Sequence, residues 1–563
     1  MHAFHALSRI AFVIGVAVIG TNVAAQGTLR SPDNPVVARA LAHIASFPAV
    51  SSFGPDQNFR VRDVIVDADG TEHVRFDRQY RGLPVIGGDL VVHTAPNGMF
   101  RSVSATLARA LNLSVRPSIR SAQASQAALV AQPGDTRGVP PALVVYARGD
   151  LPTLAYDVRV FGEQADGTPM EKHVIVDANR GVVLDAWDDI HTGKPDGSGA
   201  RKGGGGSGGG TTGGGSGGTT GPTASAGLGN GYYYAGVEFA TTLRSSDYEL
   251  SDPGGTAPGT AGTPYHTYDF RNGRSSMYYI TDADNAWGTA GNLSDRQSVA
   301  VDAHYGSWQT LQFYASLGRA GIDPSRTDVA KNGVHYGRNY NNAFWSDSCF
   351  CMVYGDGDGN VFNPLVSLDV AGHEMTHGVT SATAGLIYSG ESGGLNEATS
   401  DIMGTMVELF ANHANDVPDY QIGEKIVGPG FGRAYLRNMQ QPSSDGRSAD
   451  CYYPGVGSLD VHYSSGVANH FFYLLAEGSA NSKTCKAGDG RVATGGSGAL
   501  TVYGIGADKA AQIWYEALTL YMTSDTDFAG ARAATLAVAS SRFGDTSSEV
   551  ANVEAAWLAV NVK

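Results

Sequence analysis

Residues 197–221 place the strongest constraint on how this chain of 563 residues folds, because nearly all of them are glycine, serine or threonine. A tract of this composition has no apolar side chains with which to build a core, and it behaves as a flexible connection. The chain therefore folds as separate regions before and after the tract. The tract lacks the order of glycine, lysine and hydroxyl residues that a phosphate loop needs, which argues against nucleotide binding.

The chain ahead of the tract begins with the pattern of a secretory signal peptide. Residues 1–25 carry one firm positive charge, Arg9, followed by an apolar run and then by small residues. No later apolar run is long enough to cross a membrane as a helix, so we expect an exported protein with no membrane partner. Export favours disulfides over free thiols.

Residues 35–192 have the pattern of a small α+β region. A helix is predicted at residues 36–44, and alternating apolar and polar residues predict strands at 59–66, 73–79, 89–93, 142–147, 153–160 and 172–176. No cluster of candidate ligands or paired catalytic groups occurs among them. We interpret this region as a folding or inhibitory module.

The chain beyond the tract changes from β-rich to helical. Strand patterns fill residues 232–279, and a helix is predicted at residues 299–317. After a proline at residue 364 the patterns are mainly helical, at residues 396–412, 466–477, 507–522, 528–543 and 548–560. A β-rich half therefore precedes a helical half, and the junction of two such halves is a common place for a substrate cleft.

Charge and cysteine content exclude some classes of protein. The formal net charge of -15 argues against nucleic acid or an anionic membrane as a partner. Three pairings of the cysteines are possible, and a cysteine zinc site is disfavoured because it needs two C-x-x-C pairs. We favour disulfides between Cys451 and Cys485 and between Cys349 and Cys351.

The motif with the clearest chemistry is His-Glu-Met-Thr-His at residues 373–377. On a helix, His373 and His377 lie one turn apart on one face, so both imidazoles can bind one zinc ion, and Glu374 stands beside the metal as a base. The plain alternative is a helix with two partly exposed histidines. Glu397 is a good candidate for a third ligand, which argues against this alternative. Asp401 follows four residues later and can accept a proton from a ligand imidazole.

Several sequence blocks carry a resemblance to a known family. They are residues 299–305, 340–345, 354–359, 368–378, 385–388, 393–401, 436–439 and 460–466, and together they span the region beyond the tract. This region resembles the thermolysin-like zinc metalloendopeptidases, and it is nearest to their vibriolysin and pseudolysin branch. Residues 73–93 resemble the family's pro-peptide, and the chain up to residue 192 resembles its second pro-module. The resemblance implies an α+β fold, with a β-rich lobe and a mainly α-helical lobe preceded by an α+β pro-region.

The resemblance also implies roles for individual residues. Glu374 would activate a zinc-bound water, and Asn396 would orient a ligand histidine as Asp401 does. Tyr388 and His462 would hydrogen-bond the oxyanion, with Asp460 orienting His462. The residues implied in substrate binding are Asn342 and Ala343 on the backbone edge, Arg437 on a substrate carbonyl, and Phe362, Val370, Ile422 and Leu436 around the side chain after the cut.

A calcium site is implied beside the zinc helix, because converging carboxylates repel one another unless a cation joins them. The matching acidic residues are Asp369, Glu408, Asp419 and Glu424. Residues 412–419 depart from the family in length, so Asp416 is an alternative to Asp419. One or two calcium ions are compatible with this pattern.

Together these features predict a secreted zinc endopeptidase that is made as an inactive precursor and cleaves before hydrophobic residues. We expect a monomer that acts on peptides and proteins and is inhibited by its own pro-region. The alternatives are an exported binding protein that keeps the fold, which does not need Glu374, Tyr388 and His462 together, and a zinc aminopeptidase, for which no amine-binding motif is found. The expected segments are a signal peptide (1–25), two pro-modules (26–115 and 116–194), a linker holding the maturation cut (195–222), and two catalytic lobes (223–380 and 381–563).

Overall fold

The structure is a computed structural model that describes residues 29–107, 109–149, 151–193, 223–254, 264–326 and 329–563. The predicted signal peptide and the glycine-rich linker at residues 195–222 lie outside these described residues. Within the described ranges, no helix has both the length and the apolar character needed to cross a membrane.

The predicted pro-region is a sheet with helix α1 (Pro35–Ser46) and helix α2 (Ser121–Ala131) packed on it. Asn34 accepts a hydrogen bond from the backbone N–H of Val36, and Pro35 occupies the first turn of α1, where no backbone donor is needed. In the described part of the chain, the strand order is β5-β4-β2-β3-β6-β7-β8-β9, with β1 paired to β2. These strands are β1 (Gln57–Val66), β2 (Glu72–Tyr80), β3 (Leu83–Ile86), β4 (Leu90–Thr94), β5 (Phe100–Ala105), β6 (Ala142–Tyr146), β7 (Thr153–Glu163), β8 (Pro169–Asp177) and β9 (Val183–Asp188).

The β-rich lobe has two sheets, on which helix α3 (Arg296–Ser316) packs. One sheet has the order β10-β20-β21-β19-β15-β14, with β16 paired to β15, and the other has the order β17-β13-β12-β11-β18. The strands are β10 (Ile190–Thr192), β11 (Thr223–Asn230), β12 (Ala235–Leu243), β13 (Tyr248–Glu249), β14 (Ser251–Asp252), β15 (Tyr265–Asp269), β16 (Tyr278–Tyr279), β17 (Thr281–Asp282), β18 (Ala286–Trp287), β19 (Ala330–Val334), β20 (Ala343–Ser346) and β21 (Cys351–Tyr354).

The remaining chain is mainly helical, as the sequence predicts. Aromatic stacking holds its centre, where the rings of Phe471 and Trp557 have centroids 3.8 Å apart. A short ribbon of β22 (Gln421–Ile422) and β23 (Arg437–Asn438) lies beside the helices. The helices are α4 (Leu368–Ala382), α5 (Gly390–Ala411), α6 (Val461–Ser464), α7 (Gly466–Glu477), α8 (Ala507–Glu516), α9 (Phe528–Phe543) and α10 (Ser548–Leu558).

Helix α4 runs through the centre of the core that joins the two lobes. Trp345 of β20, Met375 of α4 and Ile402 of α5 are fully buried in the same apolar cluster. Residues 368–380 of α4 are all buried, although the helix carries two histidines and a glutamate. Burial of such polar groups is unfavourable unless each finds a partner. We therefore expect α4 to carry a functional site as well as to pack in the core.

Two helices differ most in extent from the prediction. Helix α5 begins at Gly390, six positions before the predicted start, because its glycine-rich first turns pack against Val461 and Ser464 of α6. Helix α8 ends at Glu516 and continues as a π-helical turn, Ala517–Tyr521. Tertiary packing outweighs local propensity at both places.

Strand β10 falls within the predicted second pro-module, but it pairs with a strand beyond the glycine-rich tract. The sequence places residues 116–194 in a pro-module, yet β10 leaves the pro-region sheet after β9 and joins the catalytic sheet. It pairs antiparallel with β20, in the register Ile190 with Ser346 and Thr192 with Phe344. The end of the predicted pro-region is therefore an edge strand of the β-rich lobe.

Both favoured disulfides are present, and no described cysteine is free. The Cα atoms of Cys451 and Cys485 are 5.9 Å apart, and those of Cys349 and Cys351 are 5.3 Å apart. The first bridge ties the chain after β23 to the segment between α7 and α8, and the second closes the turn between β20 and β21.

Candidate active site

The site is built where α4 and α5 cross. The helices approach closely because glycines face each other: a Cβ built on Gly372 would lie 2.9 Å from the Cα of Gly404. This approach brings Glu397 of α5 against the histidines of α4. Ligand atoms of His373, His377 and Glu397 all lie within 4.8 Å of one another.

The three ligand atoms are arranged to hold a cation. Nε2 of His373 and Nε2 of His377 face each other at 3.2 Å. Oε2 of Glu397 lies 3.5 Å from the first of these nitrogens, and Oε1 lies 3.4 Å from the second. Two imidazole nitrogens and one carboxylate are the ligand set of a hydrolytic zinc site, so the residues fit zinc.

The outer nitrogens of the two rings are held by hydrogen bonds. Nδ1 of His373 donates to Oδ1 of Asp401 at 2.9 Å, and Nδ1 of His377 donates to Oδ1 of Asn396 at 2.8 Å. These bonds leave each Nε2 as the lone-pair nitrogen. Burial and the neighbouring rings of His191 and His373 hold the pKa of His377 well below its ordinary value, which keeps the ring in the neutral form that a metal needs.

Glu374 lies beside these ligands and is fully buried. Burial, together with the charge of Glu397, raises its pKa well above the ordinary value for a glutamate. A carboxyl in this environment accepts a proton readily, as a general base must. The Glu374 side chain also borders Gly193, since a Cβ built on that glycine would lie 3.0 Å from Oε1 of Glu374.

The opposite wall of the site carries Tyr388 and His462. The Tyr388 hydroxyl donates to Oε1 of Glu397 and lies 3.4 Å from Nε2 of His462. Nδ1 of His462 donates to Oδ1 of Asp460 at 2.7 Å. Burial by itself lowers the pKa of His462, but the charge of Glu397 and the bond to Asp460 raise it to about 9. The protonated ring presents an N–H donor to the cleft.

Arg437 connects the metal ligands to the cleft. Its Nε and Nη2 donate to Asp401, at 2.8 and 2.7 Å, in a buried bidentate pair. Although burial alone raises the pKa of Asp401, the Arg437 charge and the His373 hydrogen bond hold it well below the usual range. Asn469, which the sequence analysis did not single out, also donates to Asp401, at 2.8 Å. The Asp401 carboxylate thus orients both the His373 ring and the Arg437 side chain.

An apolar pocket opens beside Arg437. The structure brings together the pocket residues that the resemblance implies, and it adds Leu365 and Ile426, which the sequence analysis missed because they look like ordinary core residues. The whole lining consists of Gly193, Asn342, Ala343, Phe362, Leu365, Val370, His373, Ile422, Ile426, Leu436 and Arg437.

The segment Ile190–Thr192, followed by Gly193, lies in the cleft as an extended strand. The His191 ring stacks on Tyr388 with centroids 4.5 Å apart, and it lies edge-on to His377 at 4.7 Å. Nε2 of His462 donates to the Thr192 carbonyl oxygen at 2.6 Å. This contact is not predictable from the sequence, because a strand pattern does not reveal which distant strand it joins.

A cluster of carboxylates lies at the other end of α4 and α5. Ligand atoms of Glu408, Asp416 and Glu424 lie within 4.8 Å of one another. Burial and neighbouring acidic charges raise the pKa of Glu408 to about 11 and that of Glu424 to about 9. Asp369 is buried beside them and accepts hydrogen bonds from Ser367 and from the backbone of Gly423. Asp419, whose carboxylate also bears on both glutamates, accepts hydrogen bonds from the backbone and side chain of the adjacent Gln421.

The comparisons with known proteins agree with this geometry. The sequence profile "Thermolysin metallopeptidase, catalytic domain" matches residues 226–381, and "Thermolysin metallopeptidase, alpha-helical domain" matches residues 384–562. The "Fungalysin/Thermolysin Propeptide Motif" matches residues 57–107. The profiles therefore cover both catalytic lobes and the first part of the pro-region.

Curated relatives give the same result. The chain is 43% identical over 517 residues to a "Transglutaminase-activating metalloprotease" of Streptomyces mobaraensis, an alignment that covers 90% of this chain and 61% of that relative's length. It is 36% identical over 510 residues to a thermolysin of Alicyclobacillus acidocaldarius subsp. acidocaldarius, covering 87% of this chain and 83% of the relative. A bacillolysin of Bacillus cereus is 36% identical over 527 residues, with 90% and 85% covered.

Among solved structures, the precursor of protealysin from Serratia proteamaculans is 29% identical and covers 53% of this chain and 87% of its own, with a TM-score of 0.40. That score is too low to support a comparison of the folds. The sequence profiles and the curated relatives carry the assignment, and the cluster of His373, His377 and Glu397 supplies the metal site that it requires. The chain belongs to the thermolysin family of metallopeptidases, which are zinc endopeptidases, and it carries that family's pro-peptide.

Proposed function

We propose that this chain is a secreted zinc endopeptidase, made as an inactive precursor, that cleaves peptide bonds before hydrophobic residues. One observation carries the proposal: an extended segment of the chain itself lies across the site as a peptide substrate would. The Thr192 carbonyl faces His462, the Gly193 carbonyl accepts from Nη1 of Arg437 at 2.9 Å, and both adjoin the cluster of ligand atoms.

His373, His377 and Glu397 would hold the zinc ion. When bound, zinc would polarise the peptide carbonyl and lower the pKa of a water molecule in the site. The Glu374 carboxylate takes a proton from the attacking water and passes it to the leaving amine. Its burial removes the competing solvent that would otherwise stabilise the charged carboxylate.

His462 and Tyr388 stabilise the negative charge that develops on the carbonyl oxygen. His462 is the stronger of the two, since it is a cation whose N–H already points at a carbonyl oxygen in this structure. Asp460 fixes the orientation of the His462 ring through its second nitrogen. Arg437 binds the next carbonyl along the substrate, and the backbone of Ala343 pairs with the substrate strand.

The pocket beside Arg437 sets the specificity. Phe362, Val370, Ile422 and Leu436 surround the side chain of the residue after the cut, and Arg437 is the one Lys, Arg, Asp or Glu among the described residues that line the pocket. A basic side chain would lose its hydration there without gaining a partner of opposite charge. An acidic side chain could reach only Arg437, whose charge Asp401 already neutralises. We therefore propose a preference for large apolar residues after the cut.

Calcium is the second proposed ion. Glu408, Asp416 and Glu424 would hold one calcium ion. The charges of Asp369 and Asp419 also act on Glu408, so one or two ions are proposed. Burial and the charges of the neighbouring carboxylates raise the pKa of both glutamates, and a divalent cation would offset both effects. Removal of calcium by a selective chelator should lower the unfolding temperature of the wild type, and it should have little effect on Glu408→Gln.

The domain plan is also a proposal. A signal peptide at residues 1–25 would direct export, residues 26–194 would form the pro-region, and residues 223–563 would form the active enzyme. The pro-region inhibits because β10 occupies the edge of β20, on which a substrate would have to pair.

The test uses the processed protein and a set of peptides that differ only in the residue after the cut. We expect cleavage before leucine or phenylalanine at least tenfold faster than before aspartate, loss of activity with phenanthroline, and recovery with zinc. Glu374→Gln should lower kcat by several orders of magnitude while the zinc content is unchanged, because the base is lost and the ligands are not. Undiminished cleavage by this variant would refute the mechanism.

A further inference from the structure

Thr192 and Gly193 occupy the cleft in one particular register. The Gly193 N–H donates to the carbonyl oxygen of Ala343 at 3.3 Å, and the Gly193 carbonyl accepts from Arg437 at 2.9 Å. The Thr192 carbonyl accepts a hydrogen bond from Nε2 of His462 at 2.6 Å. The carbonyl that binds the oxyanion donor His462 is therefore that of Thr192. The next carbonyl, that of Gly193, binds Arg437.

This register points to one peptide bond. The carbonyl that His462 holds is the one that is attacked, so the bond at risk is the one between Thr192 and Gly193. Glu374 stands on the side of Gly193, where a Cβ built on that glycine would lie 3.0 Å from Oε1 of Glu374. The Glu374 carboxylate also interacts with the backbone N–H of Gly193, the nitrogen that must receive a proton when this bond breaks.

Gly193 is also the residue that faces the apolar pocket. It lines the pocket together with Leu365, Ile426 and Leu436, and it has no side chain to place among them. The strand thus makes the backbone hydrogen bonds of a substrate, but it lacks the apolar side chain in the pocket that a good substrate would have. A segment bound in this way is a slow substrate and, until it is cut, an inhibitor.

We propose that the Thr192–Gly193 bond is the bond hydrolysed in the first step of maturation, within the same molecule, and that glycine at position 193 keeps this step slow. The proposal rests on the proposed endopeptidase function. In the reaction, water adds across the bond: hydroxide goes to the Thr192 carbonyl carbon, the C–N bond breaks, and the remaining proton goes to the Gly193 amine. The proposed cut lies just ahead of residues 195–222, the linker in which the sequence predicts the cut. Later trimming of this linker is compatible with a first cut at the Thr192–Gly193 bond.

The first experiment identifies the bond. The secreted full-length precursor is purified, incubated with zinc, and the released pro-region is analysed by intact mass. The pro-region is the informative fragment, because trimming of the linker does not change its C-terminus. We expect it to end at Thr192, and a pro-region that ends at any other residue overturns the proposal.

Two controls decide whether the molecule cuts itself. The rate constant should be unchanged over a hundredfold dilution, whereas a rate constant that falls with dilution would show cutting between molecules. Glu374→Gln should leave the bond intact, and formation of the same fragment in this variant would show that another protease makes the cut. Gly193→Pro should also leave the bond intact, because proline has no N–H for Ala343, and a fragment ending at Thr192 in this variant would contradict the assigned register.

The second experiment tests the role of glycine. Gly193→Leu should process about 10-fold to 100-fold faster than the wild type, which is the range expected when a leucine side chain enters an apolar pocket in the transition state. Gly205→Leu makes the same change within the linker and should process at the wild-type rate. Equal rates for both variants would refute the role of Gly193.

The outcomes also separate this inference from the function on which it rests. If the processed enzyme cleaves peptides before hydrophobic residues but the pro-region ends elsewhere, the function stands and the bond assignment fails. If no variant and no processed form cleaves any peptide in the presence of zinc, the endopeptidase function itself fails.

Discussion

Arg148 of the pro-region makes a buried polar contact with the helical lobe. Its side chain is only 8% exposed, and its Nε donates to Asp525 at 2.7 Å. Its Nη1 donates to Asp185 of the pro-region at 2.6 Å, and its Nη2 donates to the Ser389 carbonyl at 2.9 Å and to the Ser392 hydroxyl at 3.0 Å. The residue bridges two aspartates that would otherwise face each other across the interface.

Replacing Arg148 by alanine should weaken the hold of the pro-region on the enzyme. Breaking a fully buried ion pair costs about 3–5 kcal/mol, since the partner charge stays buried. The Asp525 side chain is 21% exposed, so water relieves part of its loss, and we expect about 2–3 kcal/mol. This energy corresponds to roughly 30-fold to 150-fold faster release of the cut pro-region.

The assay measures release from the complex that forms after the maturation cut. Because Arg148 belongs to the pro-region, the freed enzyme is identical in every variant, and the appearance of peptidase activity reports release alone. Arg180→Ala is the matched control: its side chain is 67% exposed and pairs with Asp177 in its own turn, so release should change less than about threefold. If Arg148→Ala releases no faster than this control, the interface contact does not hold the pro-region as argued.

Two further predictions concern stability in the inactive Glu374→Gln background, where self-digestion does not interfere. The disulfide between Cys451 and Cys485 joins residues that are 34 positions apart, so replacing both by alanine should lower the free energy of unfolding by about 4 kcal/mol. Urea denaturation measures this loss, and an unchanged free energy of unfolding would contradict the chain-entropy account. Burial lowers the pKa of His173, but Asp157 and Asp189 raise it to about 9, above the unfolded value of about 6.5. The precursor should therefore lose up to about 3 kcal/mol of stability as the pH rises from 6.5 to above 9, relative to His173→Asn, and parallel pH curves would refute this.

The metal ligands were predictable because their arrangement is local. His373 and His377 lie on one helical turn, Glu397 and Asp401 lie on another, and the helical period alone places each pair on one face. Only the meeting of the two helices depends on the tertiary fold. The family resemblance supplied that part, and the facing glycines explain it physically.

The position of β10 was not predictable from local sequence. Its pairing joins Ile190 to Ser346, across more than one hundred and fifty positions of the chain, and nothing in an alternating pattern encodes the partner of a strand. The choice between Asp416 and Asp419 has a similar origin. It depends on the path of the loop after α5, where Asn412 takes a left-handed conformation with φ of 43°, and the chain length of this loop is where the family comparison is weakest.

The placement of Gly193 explains how a pro-region can inhibit by imitating a substrate and still be removed. An inhibitor that avoided the donors of His462 and Arg437 would bind outside the catalytic register, and the enzyme would have no means of cutting it. A segment with a large apolar residue in the pocket would be an ordinary substrate, and inhibition would end as soon as the site formed. Backbone contacts in full register, with the side-chain contact missing, give a segment that binds first and is cut later. The timing of activation in this chain is thus a property of one residue in the pocket, and the Arg148 contact determines how long inhibition lasts after the cut.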